Sequence, residues 1–209
     1  KGAILNQEGN NNSFYGLDLF EEHHVGLNQG VSDNNQIGNN NMIRLEQLGI
    51  SNSYIDQRGN GNTVNAFLGS PEGGYANTYS IVDIGQYGNN NLVNSDQRGQ
   101  EHEAYIYQGE ASSKHGWTKS QNNAVAMVQR GETNLTEVFQ YGNGNAVSIV
   151  QYIANNYASV FQNGHNNSAA MIQNEGEENN VSIVQSGNND NALIIQNGNN
   201  NDASVVQSN

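Results

Sequence analysis

The sequence predicts an all-β fold: a β-solenoid of about nine 22-residue rungs, each a strand, a turn and a second strand, forming two facing parallel sheets. Three observations predict it. A glutamine recurs at a constant step of 11 residues, the residues before it alternate apolar and polar, and a four-residue link rich in Gly and Asn joins one run to the next. Period 2 with β-branched residues is a strand signature. A link that short leaves no room for a crossover helix.

The glutamines set the frame. In the C-terminal half they stand at Gln129, Gln140, Gln151, Gln162, Gln173, Gln185, Gln196 and Gln207. Every step is 11 except one of 12 after Gln173, where NEGEEN carries an extra residue. Gln7, Gln36, Gln47, Gln57, Gln86, Gln97 and Gln108 extend the series toward the N-terminus, with Asp18 and Leu68 where an anchor is expected, 17 anchors in all or about nine pairs. Six residues before an anchor stand Asn41, Asn91, Asn123, Asn134, Asn145, Asn156, Asn167, Asn179 and Asn201. Asp190 takes that place once, and Gly30, Ser51, Ser80 and His102 take it in the less regular half.

The run between the two amides is a strand. Counting Asn145 as position 0, positions 2 and 4 are Val147 and Ile149 and position 6 is Gln151. These four share one face of a strand. That face therefore carries an asparagine, two apolar residues and a glutamine.

The link has the form Q-x-G-x-x-N. Its glycine is Gly9, Gly38, Gly49, Gly59, Gly88, Gly99, Gly131, Gly142, Gly164, Gly187 or Gly198. These glycines are expected to supply the positive φ of a tight reversal.

An antiparallel meander accounts for the alternation but not for the constant length and identical anchors. Stacking each unit on the next but one accounts for both. Nine rungs at roughly 4.8 Å each make a column on the order of 43 Å long. The stacking also explains the amides. A buried polar group costs free energy unless it is hydrogen-bonded, and a primary amide carries both donor and acceptor. Stacked Gln and Asn can thus satisfy one another along the axis, and a slipped register would leave them unpaired.

Three segments break the rhythm of this single solenoid spanning 1–209. Residues 19–33 (LFEEHHVGLNQGVSD) fit no register, 69–79 contain the only proline, and 109–122 contain the only tryptophan. The last two read as loop insertions. Trp117 beside Lys114, His115 and Lys119 reads as a surface excursion rather than a contact site. The first anchor is Gln7 and the last is Gln207, so uncapped ends are expected. Uncapped edges are templates for further strands, and a head-to-tail contact that does not close yields a filament. In-register stacking with amide ladders makes that filament amyloid-like.

Composition narrows the alternatives. Only 34% of the residues are hydrophobic, so a conventional core is poorly supplied and periodicity decides against disorder. With seven Lys and Arg against 20 Asp and Glu, nucleic acid is not an expected partner. No apolar run approaches the length of a membrane span, so membrane insertion is not expected either. His23 and His24 adjoin Glu21 and Glu22, but neighbours on a strand point to opposite faces and no metal site is expected. No cofactor and no catalytic constellation is expected. A monomeric solenoid binding ice or carbohydrate is the rival reading; ice-binding faces want regular Thr rows, and Thr is sparse here. A pectin-lyase-type enzyme needs carboxylates clustered in register, and Asp83, Asp96 and Glu137 do not recur.

The unit resembles the curlin repeat, S/N-x5-Q-x-G-x-x-N-x5-Q, of bacterial curli subunits. NAVSIVQ, NYASVFQNGHNNSAAMIQ and NLVNSDQRG carry the resemblance, which is strong over 80–108 and 123–207. It implies a secreted subunit of an extracellular amyloid fibre serving biofilm matrix, adhesion and surface colonisation. It also implies export through an outer-membrane channel and polymerisation started by a nucleator subunit. The regular C-terminal repeats favour a major subunit over a nucleator or minor adhesin. About nine repeats exceed the family's usual five, and its glycine-rich export segment is not seen in this sequence.

One feature lies outside the repeat pattern. Position 5, which faces outward, is Val128, Phe139, Val150, Phe161, Ile172, Val184, Ile195 and Val206. Eight apolar residues in a row on outward faces predict lateral contact with another fibre or a covering partner.

Overall fold

The computed structural model describes residues 2–19, 31–48, 50–69, 79–109 and 120–208. Eighteen strands, numbered along the chain, form two parallel sheets. Sheet A holds β1 (Gly2–Glu8), β3 (Val31–Asn39), β5 (Ile50–Asn60), β7 (Tyr79–Asn89), β9 (Glu103–Gln108), β10 (Ser120–Gln121), β12 (Leu135–Asn143), β14 (Tyr157–His165), β16 (Asn180–Asn188) and β18 (Asp202–Ser208). Sheet B holds β2 (Ser13–Leu19), β4 (Met42–Leu48), β6 (Thr63–Leu68), β8 (Leu92–Gln100), β11 (Ala124–Glu132), β13 (Ala146–Gln151), β15 (Ser168–Glu175) and β17 (Asn191–Asn197). The chain alternates between the sheets, and each regular unit pairs in parallel with the unit two along, as β12 does with β14 and β11 with β13. The fold is the expected β-solenoid.

Register follows the glutamine frame. Gln140 lies between Gln108 and Gln162, and Gln151 between Gln129 and Gln173. The two exceptional anchors keep their places: Leu68 lies between Gln47 and Gln97, and Asp18 lies opposite Gln47. Among the described residues sheet A has nine levels and sheet B eight, because β9 and β10 share one level between β7 and β12. The 18 strands therefore make 17 levels, one for each anchor from Gln7 to Gln207.

Alternation sets the core. Val147 and Ile149 point inward and are buried, while Ala146 and Ser148 between them are exposed. Each strand contributes about two such apolar residues, mostly Val, Ile, Ala and Met, to a narrow continuous core. Little apolar surface is available per level, so the polar groups at both ends of each strand carry more of the specificity than in an ordinary sandwich.

Four segment boundaries move. Leu19 still belongs to β2, opposite Leu48, and Tyr79 already belongs to β7, opposite Ile50. Val31, Ser32 and Asp33 belong to β3, opposite Gly2, Ala3 and Ile4, so the irregular segment 19–33 ends earlier than the sequence predicts. Its lack of side-chain periodicity hid a strand that pairs through its backbone. The insertion 109–122 likewise ends earlier, because Ser120 and Gln121 return to sheet A as β10 and resume the level that β9 leaves. His23, His24, Glu21, Glu22, Gly49, Lys114, His115, Trp117 and Lys119 lie outside the described residues.

The ten described glycines of the link have the expected positive φ, but the tip of the arc lies elsewhere. Gly142 has φ +97° but lies inside β12, and the tip of the arc is two residues further on, at Gly144. Glycine is required there for a second reason: a Cβ on Gly142 would collide with the carbonyl oxygen of Gly164 on the next level. The left-handed tip residue directly precedes the asparagine column. It is Asn11, Asn40, Gly61, Asn90, Asn122, Gly144, Asn166 and Asn189 on the arc from sheet A to sheet B. On the return arc Glu101, Thr133, Asn155, Glu178 and Asn200 take it, and Ile153 holds φ +76° where glycine usually stands.

Candidate functional site

The inward glutamines form two axial ladders. In sheet A the amide nitrogen of each glutamine donates to the oxygen of the next, from Gln7 through Gln36, Gln57, Gln86, Gln108, Gln140, Gln162 and Gln185 to Gln207. In sheet B the ladder runs Gln97, Gln129, Gln151, Gln173, Gln196. Interior members are fully buried; Gln7 at one edge is exposed, and Gln47 and Gln207 are half-buried. A second bond fixes each amide's direction. Gln140 Nε2 also donates to Ala124 O of the facing sheet at 3.2 Å, and Gln162 Nε2 to Ala146 O at 3.1 Å. A carbonyl accepts only from nitrogen, so the amide cannot flip. All twelve Gln-to-Gln bonds therefore share one polarity, with donors toward the β17–β18 edge and acceptors toward the β1–β2 edge.

The asparagines act differently from the expectation that they stack amide on amide. Asn145 Oδ1 accepts the backbone N–H of Asn167 at 3.0 Å. Its Nδ2 donates to Tyr141 O at 3.0 Å and to Gly164 O at 3.1 Å. Asn134 makes the corresponding bonds to Asn156 N–H, Arg130 O and Ile153 O. The column thus stitches the arc backbone to itself and to the next level, satisfying groups that a turn leaves without partners. Direct Asn–Asn amide bonds are present at Asn62–Asn91, Asn156–Asn179 and Asn179–Asn201. Asn12 and Asn62 belong to the column as well; they stand six residues before Asp18 and Leu68 and are legible from that spacing.

Two substitutions within the columns show what the pattern requires. Leu68 is fully buried in the glutamine row and has no amide, and Gln97 Oε1 above it is left with no hydrogen-bond partner. His102 replaces an asparagine and reproduces its bonds. Nε2 lies 3.1 Å from Arg98 O, four residues back, and Nδ1 accepts Asn134 N–H at 3.3 Å. That pair of partners fixes the neutral tautomer, and burial holds the imidazole pKa below its ordinary value of 6.5, the Arg98 carbonyl opposing in part.

The outer faces differ from each other. On sheet A, Tyr107 OH donates to Asp83 at 2.6 Å and Tyr87 OH to Asp56 at 3.2 Å, while Arg58 pairs with Asp56 at 2.9 Å. Burial and the Asp56 carboxylate push Tyr87 up to about 12. Burial also raises Asp83, against the pull of the Tyr107 hydroxyl. Phe139 stacks on Tyr107 and Phe161 leans on Tyr141, with ring centroids 5.7 and 5.6 Å apart. On sheet B, Arg44–Glu46 and Arg98–Asp96 pairs flank Phe67 in an open depression of about 460 Å³. Of the position-5 residues, Val128, Phe139, Val150, Phe161, Ile172 and Val184 are outward and half-buried, and Ile195 and Val206 are exposed. Among the described residues no three His, Asp or Glu side chains are grouped to hold a metal ion.

Stacked strands, buried amide ladders and stitched arcs define a parallel β-solenoid whose levels are specified by polar contacts along the axis. The curlin associated repeat matches the chain three times, over residues 121–152, 154–183 and 176–208. Residues 121–208 are thus a run of curlin repeats, the repeat of a family whose proteins are extracellular curli components. No curated protein matches it.

Proposed function

We propose that the chain is a structural subunit of an extracellular, curli-type amyloid fibre that grows by stacking one molecule's β17–β18 edge on the next molecule's β1–β2 edge. The shared polarity of the amide ladders carries this reading: one edge offers donors, the other acceptors, and identical molecules stacked head to tail continue the row. In that register Gln207 faces Gln7 and Val205 faces Leu5 of the next molecule. Leu5, Tyr15, Leu193, Ile195 and Val206, all on these four strands, are among the exposed large apolar residues, and stacking covers them. A non-closing contact of this kind propagates without limit, and its product is cross-β. The regular levels from β11 onward suit a major subunit better than a nucleator. The fibre serves biofilm matrix and surface adhesion, with a nucleator subunit and an outer-membrane secretion channel as partners. The reading is not enzymatic.

Electron microscopy and fibre diffraction of purified chain test it. Fibres with a meridional repeat near 4.8 Å are expected, with Gln207→Leu slowing elongation. Persistent monomers under assembly conditions would overturn it.

A further inference from the structure

The outer face of sheet B at β11, β13 and β15 has two parallel columns of unequal size. Position 3 holds Ala126, Ser148 and Ala170; position 5 holds Val128, Val150 and Ile172. All six point outward and are exposed or half-exposed, and none is ionisable although the chain carries a formal charge of −13. β17 continues the bulky column with Ile195 but places Leu193 in the small one, so the two-column surface is confined to three levels.

Resting on the fibre reading above, we propose that this face pairs two filaments of the same chain, related by a twofold axis parallel to the filament. Such a rotation reverses the order of the columns across the contact. The small column of one filament then faces the bulky column of the other, and both sheets close without voids. Isologous contacts need this self-complementarity. The equivalent face of sheet A lacks it. There the small column contains Glu137, whose carboxylate accepts the Tyr157 hydroxyl, and Phe139 and Phe161 are already covered in part by Tyr107 and Tyr141. Size settles when pairing occurs. Three levels of about seven residues make roughly 300 Å² per chain, well below the roughly 800 Å² per partner of a stable specific complex. Single molecules therefore do not dimerise through it, and filaments do, because stacking repeats the patch along one line.

Filament width in electron micrographs tests the pairing, with thioflavin binding as the measure of assembly. Wild-type filaments should be two solenoids wide, and Ser148→Lys with Ala170→Lys should give filaments one solenoid wide with thioflavin binding retained. Ser148→Ala should stay paired, as should Ser159→Lys with Ser182→Lys at the corresponding positions on sheet A. Single-width wild-type filaments overturn the pairing, as do paired filaments of the sheet B lysine variant or loss of pairing in both lysine variants. Absence of wild-type filaments instead overturns the fibre reading, and the pairing with it.

Discussion

The arc that carries the chain from sheet A to sheet B has Asn or Gly at each described left-handed tip, whereas the return arc places Glu101, Thr133 and Glu178 there. The contrast extends beyond the tips. The first arc carries the unbroken glutamine ladder from Gln7 to Gln207 and the asparagine column from Asn12 to Asn167. The return arc carries Leu68, Ser51, Ser80, His102 and Ile153, the short step from Gln47 to Gln57 and the long one from Gln173 to Gln185. The insertion after Gly69 also falls on the return arc, while the insertion ending at Ser120 falls on the first.

The difference teaches how little redundancy register needs. The strands of one level are continuous with both arcs, so a level aligned at one edge is aligned at the other through its backbone pairing. The first arc has a ladder in which every slip leaves buried amides unpaired. The return arc inherits that register and tolerates strained or amide-free residues. Thr133 and Ile153 are β-branched residues at positive φ, where such side chains are unfavourable. Both stand on levels whose sheet A glutamines are intact.

Breaking the regular arc should have the largest effect. Gln140→Leu copies Leu68 into the unbroken ladder: Gln162 Oε1 loses its donor, and Gln108 Nε2 keeps only Leu92 O at 3.2 Å. A loss of about 2–4 kcal/mol is expected from the orphaned groups, read as a lowered denaturant midpoint with slope unchanged. An unchanged midpoint would mean that the ladder does not hold the fold. The reverse substitution sharpens the contrast with a smaller effect. Leu68→Gln places a donor below Gln97 Oε1 and an acceptor above Gln47 Nε2, and should raise stability by about 1 kcal/mol. A lowered midpoint would mean that the return arc has adapted to the break.

How far these features were legible depends on what the repeat encodes. Spacing located Leu68 and Asp18 as anchors although neither is glutamine, because stacking fixes position before identity. Spacing did not separate the roles of the two amides. Gln and Asn carry the same functional group, and only the shorter side chain's closeness to the arc commits it to backbone partners. On the first arc the left-handed tip stands in the sequence as Asn or Gly directly before the asparagine column, but the glycine two residues earlier recurs more conspicuously. The Tyr107–Asp83 and Tyr87–Asp56 contacts join residues 24 and 31 apart; no local pattern announces them.

The smallest expected effect concerns His102, the asparagine substitute on the return arc. Its Nδ1 must accept the Asn134 N–H, and a protonated imidazole brings two donors together at 3.3 Å. Because burial lowers the folded pKa from 6.5, the unfolded chain binds the extra proton first. The stability tied to the neutral ring is complete above pH 6.5 and declines as pH falls below it toward the folded pKa. His102→Asn keeps an acceptor and an amide donor without titrating. The variant should match wild type at pH 8 and exceed it increasingly below pH 6.5 in parallel denaturant titrations. A constant offset between the two curves would show that the ring acts through packing, and that the stacked column is indifferent to its charge.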